Sequence, residues 1–441
     1  MTMKTPIVDF VRQYAQRDTL RLHMPGHKGL VHLGPEPYDI TEIEGADSLY
    51  DAEGIIGRSE ENASRHFGCK TLYSTEGSSQ CIRAMVYLAM LHGKQRGKRP
   101  VIAAGRNAHK TFLSAAALMD ADVIWLTSEN GGSYLSCKPG LRQVEQVLRD
   151  EAPAAVYVTS PDYLGQLCDI AALAELCHRY DALLLVDNAH GAYLRFLPES
   201  LHPMDLGADL SCDSAHKTFP VLTGGAYLHV RDTFAAYAKN AMALFGSTSP
   251  SYVIMQSLDL ANAYLCEYGE KLAAFLPKLR QMKQRLADHG YELREEEPLK
   301  LTLHAAAYGY EGRTYAAMLR ERNIVCEFAD FEYVVMMLTP EIGGEGLQRL
   351  EETMLSVEKR PEILFSPPEF RLQEKAMSIR QAAMSPCEAI PVEQSVGRVL
   401  AAASVSCLPA VPIVVCGEII DEAAVECFRY YGIKTVTVVA D

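Results

Sequence analysis

The segment Ala182-Leu-Leu-Leu-Val-Asp-Asn-Ala-His-Gly191 passes from five apolar residues directly to polar ones. An uninterrupted apolar run of this length, bounded by turn-forming residues, is typical of a strand buried on both faces of a parallel sheet. Asp187 ends the run, where a carboxylate is costly unless a cationic group meets it. The segment therefore predicts a buried strand with a functional carboxylate at its carboxyl end. A plain helix N-cap is the alternative role for this aspartate.

Apolar runs and helical patterns alternate on both sides of this segment, from about residue 70 to 230. Such alternation predicts an α/β fold, a mostly parallel sheet flanked by helices, with ligands at the carboxyl ends of the strands. The predicted strands are Lys70–Ser74, Val101–Ala104, Val123–Leu126, Ala155–Thr159, Ala182–Val186, Leu210–Asp213 and Ala226–Val230. The predicted helices are Gln80–His92, Lys110–Met119, Leu141–Glu151 and Ile170–Tyr180.

The chain of 441 residues is longer than one compact core usually holds, so several domains are expected. Residues 250–275 predict a long helical connector, and residues 277–355 predict a helix–strand–helix–strand–helix unit with strands Leu301–His304 and Tyr333–Leu338. We predict four parts: an N-terminal arm (1–30), a large domain (31–250), a small α/β domain (251–370) and a small C-terminal domain (371–441).

The charge balance excludes two classes of partner. The formal net charge is -14, from 42 basic and 56 acidic side chains, which argues against binding to nucleic acid or to an anionic membrane. The 12 cysteines include no CxxC pair, so no metal site is predicted. The first residues contain no apolar core of signal-peptide length. We expect a soluble, cytoplasmic protein.

Polar residues follow other predicted strands as well. In Ser74-Thr-Glu-Gly-Ser-Ser-Gln80, Ser78 and Ser79 form a turn directly before a predicted helix. Backbone N–H groups, hydroxyls and the positive end of the helix dipole together favour a phosphate there, although a serine before a helix is more often a simple cap. His109, in Gly105-Arg-Asn-Ala-His-Lys110, is placed to lie flat against an aromatic ring, or is an ordinary loop histidine.

The segment Asp213-Ser-Ala-His-Lys217 follows the next strand after Asp187. A desolvated lysine is a good nucleophile for a Schiff base, and Ser214 and His216 beside it are able to donate hydrogen bonds to a phosphate. A protonated pyridine nitrogen is a suitable cationic partner for Asp187, because the hydrogen bond keeps the ring protonated as an electron sink. Each segment alone is weak evidence, since a single lysine is usually a surface residue. Together, in order and at strand ends, they predict pyridoxal 5'-phosphate (PLP) bound to Lys217.

The chain resembles the fold-type-I decarboxylases that act on ornithine, lysine and arginine, and the resemblance covers nearly its whole length. The segments that carry it are Leu22-His-Met-Pro-Gly-His-Lys-Gly29, Asp39-Ile-Thr-Glu-Ile43, Arg106-Asn-Ala-His-Lys110, Thr159-Ser-Pro-Asp-Tyr-Leu-Gly165, Val186-Asp-Asn-Ala-His-Gly191, Ser214-Ala-His-Lys-Thr218, Leu222-Thr-Gly-Gly225, Ser247-Thr-Ser-Pro-Ser-Tyr252, Glu327-Phe-Ala-Asp330 and Ser395-Val-Gly-Arg398. The Ser-x-His-Lys block and the N-terminal segment are the more specific of these.

The resemblance implies a role for each residue of the site. Lys217 would carry PLP as a Schiff base, Asp187 would meet the pyridine nitrogen, and His109 would stack on the ring. His190 would sit near the phenolic oxygen of the ring. The phosphate would be held by Ser78, Ser79, Ser214 and His216. Thr248 or Ser249 would reach the phosphate of a neighbouring subunit, which implies a homodimer with shared active sites or a larger assembly. His27 and Lys28 would line the entrance.

Three features depart from the family pattern. Asn188 stands where the family usually has an acidic residue. The C-terminal domain is short, with Leu408-Pro-Ala-Val-Pro412 and Cys416-Gly-Glu418 in place of a segment richer in glycine and proline. We also expect a short form of the family, without the long N-terminal wing of the large inducible enzymes. The C-terminal departure bears more on the substrate pocket than on the cofactor site.

The resemblance implies PLP-dependent decarboxylation of lysine, ornithine or arginine to the corresponding amine, as in polyamine biosynthesis. Another fold-type-I reaction, transamination or aldol-type cleavage, is the first alternative, and a non-catalytic PLP-binding homologue is the second. The sequence does not select the substrate. Glu327 is one candidate partner for its distal cation, with an exposed surface role as the alternative.

Overall fold

The computed structural model describes residues 3–128, 134, 136–294, 296–406 and 411–441. The chain divides into two compact units. Unit 1 comprises Met1–Ile102, Glu145–Val158 and Asp169–Gly269, and unit 2 comprises Ala103–Val144, Thr159–Cys168 and Glu270–Asp441. The domain boundaries at residues 30, 250 and 370 stay predictions. Positions 408–410 of the Leu408–Pro412 departure lie outside the described residues.

The described part of the chain contains the following helices and strands. The α-helices are α1 Pro6–Ala15, α2 Ile55–Phe67, α3 Ser78–Gln95, α4 Lys110–Met119, α5 Leu141–Glu151, α6 Ile170–Arg179, α7 Ala215–Thr218, α8 Asp232–Ala243, α9 Tyr252–Asp288, α10 Gly312–Glu321, α11 Gly343–Leu355, α12 Ile379–Ala383 and α13 Glu422–Tyr430. The strands are β1 Lys70–Ser74, β2 Val101–Gly105, β3 Asp122–Leu126, β4 Ala155–Thr159, β5 Leu183–Asp187, β6 Leu210–Asp213, β7 Ala226–Val230, β8 Leu293–Arg294, β9 Lys300–His304, β10 Phe328–Ala329, β11 Tyr333–Met337, β12 Cys387–Pro391, β13 Ser404–Ser406, β14 Pro412–Val415 and β15 Thr435–Val439. Among these residues, no helix is both long and apolar enough to cross a membrane.

The first seven strands form one sheet in the order β1-β7-β6-β5-β4-β2-β3. The α/β class with a mostly parallel sheet is thereby confirmed. Strand β7 is the exception, since it pairs antiparallel with both β1 and β6. Strands β5 and β6 run parallel, with Asp187 opposite Cys212, so that their carboxyl ends lie side by side. The apolar run that ends at Asp187 is buried throughout, as its composition predicts.

Unit 2 contains a four-stranded sheet in the order β10-β11-β9-β8 and two strand pairs, β12–β15 and β13–β14. Side chains that accept backbone N–H groups begin several of its helices. His109 accepts the N–H of Thr111 at the start of α4. Ser378 and Gln381 form a capping box at α12, and Asp421 caps α13.

The connector differs from its prediction. The expected break near residue 276 does not occur, because α9 continues from Tyr252 to Asp288 with Pro277 inside it. A proline inside a helix removes one backbone hydrogen bond and so destabilises the helix. Burial of the apolar face along α9 stabilises the helix by more than this loss. Leu272, Leu276 and Leu279, around the proline, are all buried.

Candidate active site

Asp187 lies at the carboxyl end of β5 in unit 1 and is only 3% exposed. Three groups donate hydrogen bonds to its carboxylate. The hydroxyl of Tyr157, on β4, donates to Oδ2 at 3.0 Å, and the backbone N–H of Ala189 donates to Oδ1 at 3.2 Å. The thiol of Cys212 lies 3.7 Å from Oδ1. These donors fix the direction of the carboxylate, and they satisfy a group that would otherwise be costly to bury.

Lys217 lies beside this strand end. It belongs to the one-turn helix α7, which follows β6 after Asp213 and Ser214. Its Nζ lies 2.8 Å from Nε2 of His190, which follows β5. When Lys217 is protonated, its ammonium can only donate in this contact, and Nε2 of His190 is then the acceptor. The pair brings together a nucleophile and a base that the sequence placed 27 residues apart.

A phosphate-sized anion would find donors at the start of α3. Ser78 is the first residue of this 18-residue helix, and the hydroxyl of Ser214 lies 3.0 Å from the hydroxyl of Ser78. Gly77 precedes the helix with φ +69°, and its N–H donates to the carbonyl of Gly224 at 2.7 Å. Ser79 is the second residue of α3. Hydroxyls from two elements thus meet at the positive end of a helix dipole.

His216 has one ring nitrogen committed. Nδ1 donates to the carbonyl of Gly225 at 2.9 Å, so Nε2 is the ring nitrogen that a ligand would have to use. Burial lowers the pKa of His216, with a smaller contribution from the charge of Lys217, against the opposing hydrogen bond to Gly225. Since a neutral ring with Nδ1–H has no hydrogen on Nε2, donation to a phosphate would require protonation of this histidine.

These residues fit PLP. A buried carboxylate at a strand end suits the pyridine nitrogen, and a lysine beside it suits a Schiff base to the aldehyde. Two hydroxyls at a helix N-terminus suit the phosphate. The four lie within unit 1, at the carboxyl ends of β1, β5 and β6 or just beyond them.

The structure places the other predicted residues as follows. His109 is in unit 2, directly before α4, with Nδ1 2.9 Å from the Thr111 hydroxyl. Thr248 and Ser249 are exposed after α8 in unit 1, and Ser249 N–H donates to Ser247 Oγ at 3.1 Å. The Nε2 of His27 lies 3.3 Å from Asp39 Oδ2, and Nζ of Lys28 donates to the carbonyl of His23 at 2.6 Å. Their assigned roles stay predictions.

A second buried carboxylate, Asp213, was not singled out from the sequence. Its Oδ2 accepts from Nε2 of His202 at 3.1 Å and from Nε2 of His229 at 3.0 Å, and its Oδ1 accepts from Nδ2 of Asn188 at 2.7 Å. Burial alone would raise the pKa of Asp213, but His202 and His229 outweigh it and hold that pKa well below its usual range. An amide at position 188 is therefore favourable, because a carboxylate at the same place would be repelled by the negative charge of Asp213.

Asn188→Asp should reverse the pH dependence of stability near this carboxylate. Burial lowers the pKa of His229 from its ordinary 6.5, against the pull of Asp213. In the parent, the pKa values of His229 and Asp213 are both lower in the folded than in the unfolded state. Each group therefore contributes stability at pH values above its unfolded-state pKa, and that stability is lost as the pH falls. In Asn188→Asp two buried carboxylates compete for one proton, so stability should fall by about 3 kcal/mol at pH near 8 and recover toward pH near 5.

Urea unfolding at the two pH values measures this difference. Asn240→Asp, on the exposed face of α8, is the matched control and should follow the parent. A variant at Asn188 that keeps the parent's pH dependence would contradict the role given to Asp213.

Comparison with known proteins supports the assignment of Lys217, Asp187, Ser78 and Ser214 to a PLP site. A family model described as "Orn/Lys/Arg decarboxylase, major domain" matches residues 5–302, which is more than half of the chain. An arginine decarboxylase of Bacillus subtilis is 28% identical over 460 residues, covering 95% of this chain and 92% of that protein. An arginine decarboxylase of Halalkalibacterium halodurans is also 28% identical, with 95% and 92% covered.

Solved structures show the same fold at lower identity. The Francisella novicida lysine decarboxylase superposes with a TM-score of 0.82 at 15% identity, covering 99% of this chain and 81% of that chain. The constitutive lysine decarboxylase of E. coli gives a TM-score of 0.77 at 17% identity, covering 99% and 82%. The fold-type-I architecture is thus confirmed, and because the family model matches more than half of its residues, the chain belongs to the Orn/Lys/Arg decarboxylase family.

Proposed function

We propose that the protein decarboxylates lysine, ornithine or arginine to the corresponding amine, with PLP attached to Lys217. The observation that carries the proposal is the 2.8 Å contact between Lys217 Nζ and His190 Nε2, at the strand end where Asp187 is buried. Family membership and the arginine decarboxylases among its relatives support a basic amino acid as substrate.

Each residue of the site in unit 1 would have its own role in binding PLP or in moving protons. PLP, when bound, supplies a protonated ring that accepts the electron pair left as carbon dioxide departs. Asp187 would accept the hydrogen bond of the ring nitrogen and hold its proton there. The hydroxyls of Ser78 and Ser214 would hold the phosphate. Lys217 would give way to the substrate amine and return a proton to Cα, while His190 keeps its Nζ in place.

Further residues would complete the site. Ser79 and protonated His216 would add donors to the phosphate, and His109 would lie against the ring. Burial lowers the pKa of His216, and the negative charge of a bound phosphate would raise it again. The raised pKa would allow His216 to be protonated and to donate. These roles follow the resemblance of the chain to its family.

Incubation of the PLP-loaded protein with lysine, ornithine and arginine in turn tests the function. We expect carbon dioxide and one amine from at least one of the three. A keto acid or an aldehyde as product would replace the proposal with transamination or aldol-type cleavage. Attachment of PLP without turnover of any amino acid would indicate the non-catalytic homologue.

Glu327 is our candidate for recognition of the substrate's distal cation. In unit 2 its Oε1 accepts a hydrogen bond from the hydroxyl of Tyr163 at 2.8 Å. Burial, followed by the contact with Glu327, raises the pKa of Tyr163, so the phenol stays a donor and fixes the carboxylate. Glu327→Gln should lower kcat/KM for the preferred amino acid by about 10–100-fold, mostly through KM, because a hydrogen bond to a charged group is lost.

Steady-state kinetics with all three amino acids measures the effect. Glu321→Gln, on the exposed surface of α10, removes the same charge and should leave kcat/KM unchanged. Tyr163→Phe keeps the Glu327 carboxylate but removes the hydrogen bond that orients it. We expect this variant to raise KM less than Glu327→Gln does. Unaltered kinetics in Glu327→Gln would exclude this residue from substrate recognition.

We infer that the enzyme acts as a homodimer in which Thr248 or Ser249 reaches the partner's phosphate. Support comes from the surface of residues 20–33, where six large apolar side chains are between 66% and 91% exposed: Leu20, Leu22, Met24, Leu30, Val31 and Leu33. Apolar surface of this extent in one short stretch is typical of an interaction site. The exposed position of Thr248 and Ser249 is also consistent with a contact to another subunit.

A further inference from the structure

Arg106 is the largest side chain that is completely buried in the described part of the chain. It lies in the loop between β2 and α4, three residues before His109. Its guanidinium forms a two-pronged ion pair with Glu418, with Nη1–Oε1 2.6 Å and Nη2–Oε2 2.8 Å. Both side chains belong to unit 2 although they are 312 residues apart in sequence.

Backbone groups add further hydrogen bonds to the pair. Arg106 donates through Nε to the carbonyl of Pro412 and through Nη2 to the carbonyl of Ile413, each at 3.4 Å. Glu418 Oε2 accepts the backbone N–H of Val415 at 2.9 Å. Two buried charges lose their hydration, so a pair of this kind persists only with close geometry and satisfied neighbours. The ion pair thus fixes the loop after β2 to the segment around β14.

The same C-terminal region holds the other end of α4. The guanidinium of Arg380 donates to the carbonyls of Ala117 and Leu118, at 3.0 and 3.2 Å, in the last turn of α4 and just before it ends. Nζ of Lys375 lies 2.8 Å from Asp122 Oδ1, at the start of β3. Residues 375–418 therefore contact α4 at its carboxyl end and the loop at its amino end, and His109 is the residue that caps that amino end.

We propose that Glu418 is a positioning residue for His109: through Arg106, it fixes the loop that presents the imidazole. This rests on the proposed function, in which His109 faces the PLP ring. Thr111 also holds the ring of His109, through the contacts of Nδ1 with its hydroxyl at 2.9 Å and its N–H at 3.3 Å. A loop anchored by Arg106 and a ring anchored by Thr111 leave the imidazole little freedom. Through Arg106, the C-terminal segment thereby influences the position of His109 within unit 2.

The single tryptophan of the chain offers a local reporter. The Arg106 guanidinium carbon lies 5.0 Å from the centroid of the Trp125 ring. Loss of the ion pair should change the fluorescence of Trp125 in protein without PLP, independently of catalysis. Glu418→Gln keeps the shape of the side chain and removes its charge. Glu388→Gln, which removes the exposed partner of Arg398 in the same C-terminal region, is the matched control.

A double-mutant cycle in the PLP-loaded enzyme then decides the role. We expect Glu418→Gln to lower kcat/KM by about 10–100-fold, as a small misplacement of a site residue can. In a His109→Ala background the same change should have almost no further effect, because Glu418 acts through His109. If Glu418→Gln does not fold, Glu418→Asp, which keeps the charge but shortens the reach, takes its place.

The outcomes separate the two proposals. Equal fold-losses from Glu418→Gln with and without His109 would overturn the positioning role, and so would unchanged kinetics despite altered Trp125 fluorescence. Unchanged Trp125 fluorescence in Glu418→Gln would show that loss of this charge does not disturb Arg106, which also overturns it. Failure of the parent enzyme to release carbon dioxide from any basic amino acid would instead contradict the proposed function.

Discussion

Lys217→Ala is expected to abolish covalent attachment of PLP and to lower kcat by about 10²–10⁴-fold, the range typical of a lost proton-transfer group. The reason is its position: α7 places Nζ 2.8 Å from His190 Nε2, beside the strand end that carries Asp187. Alanine removes both the nucleophile and the group that returns a proton to Cα. The fold should survive, because a methyl group is accommodated in a one-turn helix.

Borohydride reduction followed by peptide mass spectrometry measures attachment directly. In the parent, the added cofactor mass should be found on the peptide that contains Lys217, and no peptide should carry it in the variant. Lys94→Ala, at the exposed end of α3, is the matched control and should retain both attachment and activity. A modified lysine other than Lys217 in the parent would refute the assignment.

Asp187→Asn is expected to lower kcat by about 10²–10³-fold, the size of effect seen when one preorganised electrostatic contact is lost. Asparagine has nearly the same shape, and Tyr157 can still donate to its amide oxygen in place of Oδ2. The negative charge that would keep the ring nitrogen protonated is gone, so the electron pair released with carbon dioxide has a poorer acceptor. PLP should still attach to Lys217, which separates this variant from Lys217→Ala.

Single-turnover kinetics and the attachment assay distinguish these two effects. Asp181→Asn, in the exposed loop before β5, is the control for loss of one acidic charge and should behave as the parent. Tyr157→Phe removes one of the donors that direct the Asp187 carboxylate and should give a smaller loss. Near-parental turnover in Asp187→Asn would sink its role as the partner of the ring nitrogen.

Local pattern was enough to predict much of the fold. Strands β4, β6 and β7 and helices α4 and α5 begin and end where the sequence predicts. Continuous apolar runs are visible within one window of sequence, and so are the turns that bound them. The same pattern placed Asp187 and Lys217 at neighbouring strand ends, because parallel strands put their carboxyl ends on one edge of a sheet.

Contacts between distant residues could not be predicted in this way. Tyr157 reads as one more residue of a buried strand, and only pairing in the sheet brings its hydroxyl to Asp187. His202 and His229 stand on either side of Asp213 in sequence, and none of the three has a local pattern that indicates their common cluster. The predicted boundary between the connector and the next helix, near residue 276, does not occur, because the buried face of α9 continues through Pro277.

The α/β class, the strand-end residues and the resemblance to a decarboxylase family can all be read from local patterns and motifs. The surroundings of those residues are visible only in the folded chain: the donors on Asp187, the imidazole beside Lys217, and the ion pair that joins Arg106 to Glu418. These two kinds of information differ in the range over which they act. Periodicity and turn chemistry act over a few residues, whereas a buried charge selects its partners by proximity in space, however far apart they lie along the chain.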